Sequence, residues 1–352
     1  MAEVKDGEIN EACENPGHFV ARLFEKLGEE EGIDVHLEPE WKHVGRITRP
    51  DGTVTHFRGT NLDLNGIGSM EIARDKGYAS YFLKRAGYNI IPSKTFYSPK
   101  FAKALENQDD PEAAYKYAED LGFPVVVKPN SASQGKLVCV ANDRQTFIQA
   151  VRKICKIDRC FLVQPLMTGR DYRVVVLDGE VLSAYERLPL TVIGDGTSTI
   201  DQLLDKKQIE FKSRGRDTTI NKLDFRIGSR LKRHGMKRTT ILTFGEKFEL
   251  LDNRNLSTGG EAIDVTGTID HTYEDLAVRI VRDMGLRYCG VDLMVQQDIN
   301  KPLESRTNNY HVIEINSAPG IDHYAESGKK QKLIVAEMYR KVLIALAKTR
   351  NA

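Results

Sequence analysis

Two short apolar stretches carry oxygen side chains that an ordinary interior strand has no use for. Residues 289–295 read CGVDLMV and residues 311–320 read HVIEINSAPG. Both have the length and the Val, Ile and Leu content of buried strands, and the second ends in strong turn residues. Asp292 sits inside the first; Glu314 and Asn316 sit inside the second. Side chains two apart on a strand share a face, so Glu314 and Asn316 point the same way. A carboxylate among valines and isoleucines is costly to bury unless a cation or hydrogen-bond donors meet it. Hard oxygen ligands on two such strands suit Mg²⁺ held against nucleotide phosphates. The competing reading is a pair of strands whose acids are neutralised by Lys or Arg.

Other side chains of useful type stand on neighbouring segments. Lys128 lies inside the apolar run FPVVVKP, where a snorkelling edge lysine is the plain alternative. The loop after it, Asn130-Ser131-Ala132-Ser133-Gln134-Gly135-Lys136, joins two strands, and such small-residue loops can turn backbone amides onto phosphate. Arg173 and Arg187 fall on the two strands of a hairpin around Asp178-Gly179. Arg254 and Asn255 precede a second small-residue loop, Leu256-Ser257-Thr258-Gly259-Gly260. A missing Cβ there lets amides approach an anion.

Composition narrows the classes. A chain of 352 residues can bury two or three cores, and its formal net charge of +1 sets up no field toward nucleic acid or membrane. No apolar run approaches the ~18 residues of a membrane span. The first residues, MAEVKDGEINEACENPG, are polar and acidic, unlike a signal or transit peptide. The five cysteines are odd in number and have no zinc or redox spacing, so they read as reduced thiols of a cytoplasmic protein. The histidines form no HExxH motif.

The elements that must position these residues follow from periodicity. Residues 1–17 read as a polar tail. Phe19, Val20, Leu23, Phe24 and Leu27 recur at helical spacing. Residues 41–58 read as a hairpin around Pro50-Asp51-Gly52, and 70–85 as one helix stopped by Gly87. Residues 95–165 form an α/β unit with helices over 99–105, 111–121 and 144–154 and strands over 123–129, 137–140 and 159–164. Beyond it come the hairpin, a helix over 200–204, an amphipathic helix over 273–284, the two acid-bearing strands and a closing helix over 333–347. Residues 205–238 hold 12 Lys/Arg against 4 Asp/Glu, an excess of eight (12 − 4) that reads as a solvated face or a surface steering an acidic acceptor. No aromatic interleaving accompanies it, which argues against nucleic acid.

In order and spacing, VVVKP with its small-residue loop, VQPLMTGRDYRVVV, NLSTGGEAIDVT, CGVDLMV and HVIEINSAPG resemble an ATP-grasp ligase. They are most similar to the ATP-grasp region of cyanophycin synthetase, and at greater distance to bifunctional glutathione synthetases and ribosomal-protein glutamate ligases. The resemblance runs from Gly66 onward. It carries a single ligase site and no Mur-ligase-like half.

The resemblance implies an α+β ATP-grasp fold of three α/β subdomains, residues 1–94, 95–165 and 166–352. ATP lies between the central and C-terminal subdomains, the central one acting as a mobile lid. The implied activity is ATP-dependent carboxylate–amine ligation through an acylphosphate, releasing ADP and phosphate, on amino acids or short peptides. Addition of amino acids to a protein tail, or a nucleotide sensor that has lost ligation, are the alternatives. The implied cofactors are ATP and a pair of Mg²⁺ ions, with Mn²⁺ as a substitute; relatives are often homo-oligomers.

Residue by residue, Lys76 in Arg74-Asp75-Lys76 and Lys128 match the lysines that reach the phosphates, and Ser131, Ser133 and Gly135 match the lid over them. Gln164, Pro165 and Leu166 match the hinge that clasps adenine. Because Pro165 has no amide hydrogen, the hinge contact falls to Leu166. Asp171 matches the acid on the ribose hydroxyls. Arg173 and Arg187 face the phosphates or the acyl group. Arg254 stabilises the transferring phosphate, helped by Asn255, Ser257 and the Gly259 and Gly260 amides. Asp292, Glu314 and Asn316 match the metal positions. Gly290 stands where some relatives place an arginine two residues before the aspartate. Residues 317–320 with His323 and Tyr324 border the acceptor.

Overall fold

A computed structural model of the protein describes residues 19–304 and 309–348; the tail expected over residues 1–17 lies outside them. The apolar residues at helical spacing form α1 (Phe19–Glu31), with Phe19, Val20, Leu23, Phe24 and Leu27 all buried. An antiparallel sheet of β1 (Asp34–Leu37), β2 (Val44–Thr48), β3 (Val54–Arg58) and β4 (Asn61–Leu62) follows in sequential order. The β2–β3 turn is the expected one: the Asp51 carboxylate accepts from the Thr53 amide at 2.9 Å.

The single helix expected over 70–85 is two, α2 (Ile67–Arg74) and α3 (Lys76–Arg85). Asp75 breaks it with extended backbone (φ −93°, ψ 108°) and caps α3 by accepting from the Tyr78 amide at 2.9 Å. Short polar side chains favour this capping position over a helix interior. The break makes Lys76 the first residue of α3.

The central unit comprises β5 (Lys94–Tyr97), α4 (Pro99–Ala104), α5 (Pro111–Leu121), β6 (Val125–Pro129), β7 (Cys139–Ala141), α6 (Arg144–Ile154) and β8 (Cys160–Pro165), with antiparallel strand order β5-β8-β6-β7. Alternation decides what each β6 residue does. Val125 and Val127 pack with Ala114, Ala118, Phe147 and Val151 of α5 and α6. Val126 and Lys128 face the other way, into a cavity.

Beyond it, β9 (Arg170–Leu177) and β10 (Glu180–Leu188) make the hairpin. An insertion follows with β11 (Thr191–Ile193), α7 (Ile200–Ser213), α8 (Phe225–Arg233) and β12 (Lys247–Glu249). Then come β13 (Glu261–Asp264), α9 (His271–Asp283), β14 (Tyr288–Val295), β15 (Tyr310–Asn316), α10 (Asp322–Ala325) and α11 (Lys329–Ala347). The large sheet is antiparallel with order β13-β10-β9-β14-β15. One face (Val174, Val176, Val291, Leu293) is covered by α9 through Tyr273, Leu276, Ala277 and Ile280. On the other face, Val175, Leu177, Tyr185 and Tyr288 are covered by α1 and α11. Residues 19–64 therefore share one core with residues 321–347 and with this sheet, while the insertion, residues 190–251, has a core of its own.

Candidate active site

The covered face of the large sheet is apolar only along part of its length. Continuing the same alternation, it carries Asp171 and Arg173 on β9, Arg187 on β10, Asp292 on β14 and Glu314 on β15. Register then does the assembly: Asp292 stands opposite Arg173 on one side and opposite Glu314 on the other, and Arg187 stands opposite Asp171.

Asp292 is fully buried. Arg173 grips it with both arms of the fork, Nε to Oδ1 at 2.7 Å and Nη2 to Oδ2 at 2.8 Å. Arg187 Nη2 approaches the same Oδ2 at 2.9 Å and also donates to Asp171 Oδ1 at 2.7 Å. Cations and acids thus alternate in the order Arg173, Asp292, Arg187, Asp171. Such forked pairs are strong only because each buried charge is matched. Burial alone would ease the proton off Arg173; Asp292 beside it reverses that and holds its pKa well above the ordinary value. Burial raises the Asp171 pKa, against the pull of Arg187. Gly290 makes room for the arrangement, since a Cβ there would meet Pro319 Cβ at 3.1 Å and Arg173 Nε at 3.5 Å.

Glu314 projects into the cavity and meets Lys76 Nζ at 3.5 Å. Burial would raise its pKa, but Lys76 and Lys128 outweigh that and bring it down to about 2. Asn316 shares the face, its Nδ2 3.5 Å from Glu314 Oε1. A bulge between Asp292 and Leu293 leaves Ile313 without a partner on β14, and Ile313 joins the cavity wall. Strict alternation could not foresee that. The acids are neutralised by Arg and Lys, and Glu314 and Asn316 also offer oxygens on the cavity side. Among the described residues no group of three or more His, Cys, Asp or Glu converges. Of the expected metal set, the Glu314 carboxylate and the Asn316 amide oxygen remain, which is chemistry suited to Mg²⁺.

Across the cavity, Lys128 is buried, which lowers its pKa to about 8 despite Glu314. Lys76 donates from Nζ to the Ala132 carbonyl at 2.7 Å. The amides of Ser133, Gln134 and Gly135 make no hydrogen bond to any described residue, and all three residues line the cavity. Ser131 does not. Asp158 holds its amide and its hydroxyl, each at 2.8 Å, and turns it away from the site, contrary to expectation.

Gln164, Leu166 and Met167 line the cavity, with Val126, Val140 and Met294 supplying apolar surface of the kind a flat base requires. Pro165 belongs to β8 opposite Val125, and the Leu166 amide is unpaired among the described residues. Asp171, Arg187, Asn253, Arg254 and Asn255 line the cavity as well, Asp171 standing opposite Met294 in the sheet. Arg254 is anchored by Nη1 on the Gly169 carbonyl at 2.7 Å.

The expected phosphate amides of Gly259 and Gly260 are not there. They donate to the Leu256 and Asn255 carbonyls, each at 3.1 Å, closing the short 3₁₀ turn Leu256–Thr258. Gly259, at φ +97°, and Gly260, whose Cβ would lie 2.5 Å from the Leu188 carbonyl, shape that turn and do not line the cavity. Arg173 and Asp292 likewise lie behind its wall rather than on it. Tyr324 is fully buried and stacked on Tyr185 at 4.2 Å, and His323 faces Glu326 at 3.5 Å, so neither is a cavity residue.

Several contributors carry no motif that sequence alone would flag. Asn130 ties the two halves together: its Oδ1 accepts from the Gly77 amide at 3.0 Å and its Nδ2 donates to Asp75 at 2.6 Å. Asn253 lines the cavity with its buried Oδ1 unpartnered. Arg216, within the basic stretch, is buried and donates to the Leu256 and Gly260 carbonyls at 2.6 and 2.7 Å, bracing the loop behind Arg254.

A loop with unbonded amides, a strand lysine, an apolar slot and paired acids on a facing sheet meet around one cavity of an α+β fold. The model of the RimK-like ATP-grasp domain matches residues 73–191 and 252–338, and the chain belongs to that family. It is 31% identical over 324 residues to the glutathione biosynthesis bifunctional protein GshAB of Mannheimia succiniciproducens, covering 89% of this chain and 41% of that protein. It is 32% identical over 276 residues to the cyanophycin synthetase of Trichormus variabilis, covering 76% and 29% respectively. A crystal structure of a bifunctional glutathione synthetase from Pasteurella multocida shares the fold, with a TM-score of 0.59 at 24% identity over 93% of this chain and 44% of the other. The chain spans less than half the length of each of these relatives.

Proposed function

We propose that this chain is an ATP-dependent carboxylate–amine ligase that makes an amide or peptide bond on amino acids or short peptides, releasing ADP and phosphate. The observation that carries the reading is the placement of Glu314, Lys76 and Lys128 around one cavity whose wall also holds Leu166 and Arg254. Phosphoryl transfer needs positioning and charge neutralisation more than a covalent catalyst, and the residues present are of that kind. Leu166 and Gln164 would hold the base. Lys76, Lys128 and the Ser133–Gly135 amides would take the phosphates. Arg254 and Arg187 would stabilise charge on the transferring phosphoryl group and on the tetrahedral adduct formed by the amine. Arg173 would act from behind, fixing Asp292.

Glu314 and Asn316 would hold Mg²⁺, which when bound neutralises the phosphate oxygens; Asp292, expected as a third ligand, has both oxygens on Arg173 and Arg187 and would support the site from behind. The fold suits residues 95–165 as the moving lid, since phosphate-covering loops must open for exchange. The four cysteines among the described residues, Cys139, Cys155, Cys160 and Cys289, are free, which suits a cytoplasmic setting, and no helix among those residues is long and apolar enough to cross a membrane.

The test is a phosphate-release screen over pairs of amino acids and acidic dipeptides, with products read by mass spectrometry. ADP and phosphate should appear only when a carboxylate and an amine are both supplied, with a condensed product of matching mass. Tight Mg²⁺–ATP binding with no turnover across a broad screen would replace the ligase by a nucleotide sensor. Carboxylate-dependent ADP formation trapped by hydroxylamine, whatever amine is offered, would replace it by an acyl kinase.

A further inference from the structure

The basic stretch of residues 205–238 is the feature that the ligase reading leaves unused. Much of its charge is matched nearby: Lys206 with Asp195, Lys222 with Asp205, Arg230 with Glu249 and Arg238 with Asp201. Arg233 is held by Asp252, so it is a poor candidate for steering an acidic acceptor. Arg226 differs from these, because it reaches out of the insertion to the backbone of the small-residue loop itself. Its Nη1 donates to the Gly135 carbonyl at 2.7 Å and to the Val138 carbonyl at 3.3 Å. Asp224 accepts from its Nε at 3.0 Å and its Nη2 at 2.6 Å, so the guanidinium is fixed in direction.

Two neighbours reinforce the contact. Lys153 of α6 sits 3.2 Å from the centre of the Phe225 ring, and Arg233 approaches Asn142 Oδ1 at 3.4 Å. From the other side, a Cβ at Gly135 would collide with Asn255 Oδ1 at 2.1 Å, so lid loop and Arg254 loop are in close contact. Ser257 Oγ donates to the Gln134 carbonyl at 3.4 Å and Lys76 to that of Ala132.

In a trans peptide the carbonyl and the next amide point in opposite directions. Holding the Ala132 and Gln134 carbonyls therefore directs the Ser133 and Gly135 amides the other way. Both of these amides are without a partner among the described residues. Arg226 pins the loop at Gly135 and again at Val138.

We propose that Arg226 is the latch of the lid: a positioning residue on α8 that fixes the loop Ser131–Leu137 with its amides on the phosphates, so that the insertion serves lid closure. This rests on the ATP site of the ligase reading. The test measures binding of a non-hydrolysable ATP analogue with Mg²⁺, and of adenosine, to wild type and to Arg226→Met. The analogue should bind about tenfold more weakly to the variant, the equivalent of a lost hydrogen bond to a charged group, while adenosine binds both alike. Arg226→Lys, which keeps one donor, should recover part of the loss. Asp224→Asn, which frees the guanidinium without removing it, should show the same pattern more weakly and covers the case where Arg226→Met does not fold. Equal weakening of analogue and adenosine, or no weakening of either, overturns the latch. Failure of wild type to bind the analogue overturns the ATP site and the latch together.

Discussion

The two walls of the cleft handle charge in opposite ways. The large sheet carries its charges on strands, buried and matched in advance, with Arg173 and Arg187 on Asp292 and Arg187 on Asp171. The lid wall offers one buried cation, Lys128, and a loop whose contribution is backbone. That loop is held by side chains reaching in from elsewhere: Lys76 from α3, Ser257 from the Arg254 loop and Arg226 from α8. Strand-borne charge is rigid and suits the reacting groups, whose positions must not vary. A loop held by a few external hydrogen bonds is the less constrained of the two walls, which suits the proposed lid.

Removing the matched charge on the rigid wall should have the largest effect. Asp292→Asn leaves two buried guanidinium groups short of a counter-charge and should cost about 3–5 kcal/mol of stability, read by urea unfolding. A change below about 1 kcal/mol would mean that the ladder is not the prepaid element it looks like. Next comes Glu314→Ala, which should lower metal-dependent turnover by about 10²–10³-fold with an unchanged circular dichroism spectrum. Full activity in that variant would overturn the site assignment.

The lid wall should respond through geometry instead. Gly135→Ala places a Cβ against Asn255 at a backbone angle of φ +65°, so the closed loop must shift. It should lower kcat by up to about 10²-fold while melting temperature stays within a few degrees. An equal loss in stability would show the loop to be structural rather than positional.

The smallest effect is titration of Lys128. Its pKa is lowered to about 8 by burial. The charged form attracts phosphate, so ATP affinity should fall as pH rises through about 8, by about tenfold between pH 7 and 9 if only that form binds. The folding sign is opposite. Between about 8 and the ordinary lysine value the unfolded chain binds the extra proton, so this group makes stability rise with pH there. Lys128→Met should flatten the pH dependence of affinity, and a persistent slope would assign it to another group.

Much of this was legible in the chain. Residue type and period placed Asp292, Glu314, Asn316, Arg173, Arg187 and Lys128 on strands and on particular faces, because a strand's alternation is local and a charge among valines announces a constraint. The small-residue loops were visible too, but not what their amides do. Ser131 and Ser133 are alike in sequence, yet Asp158, 27 residues on, claims the first and leaves the second to the cavity. Gly259 and Gly260 looked like anion binders and proved to close their own turn.

The Asp292–Glu314 pair shows the division most clearly. Sequence by itself determined that acids lie inside two buried strands, that a lysine lies inside a third, and that the motifs run in ATP-grasp order. Only the tertiary structure decided that β14 lies between β9 and β15, so that Asp292 is taken by two arginines while Glu314 is left to the lysines and the cavity. It alone gave Arg226, 91 residues from Gly135, a place on the lid. The physical reason is range. Periodicity and turn chemistry act over a few residues, whereas which buried charge meets which partner is set by strand order, a bulge at Ile313 and the packing of an insertion, none of which is written in any single stretch of the chain.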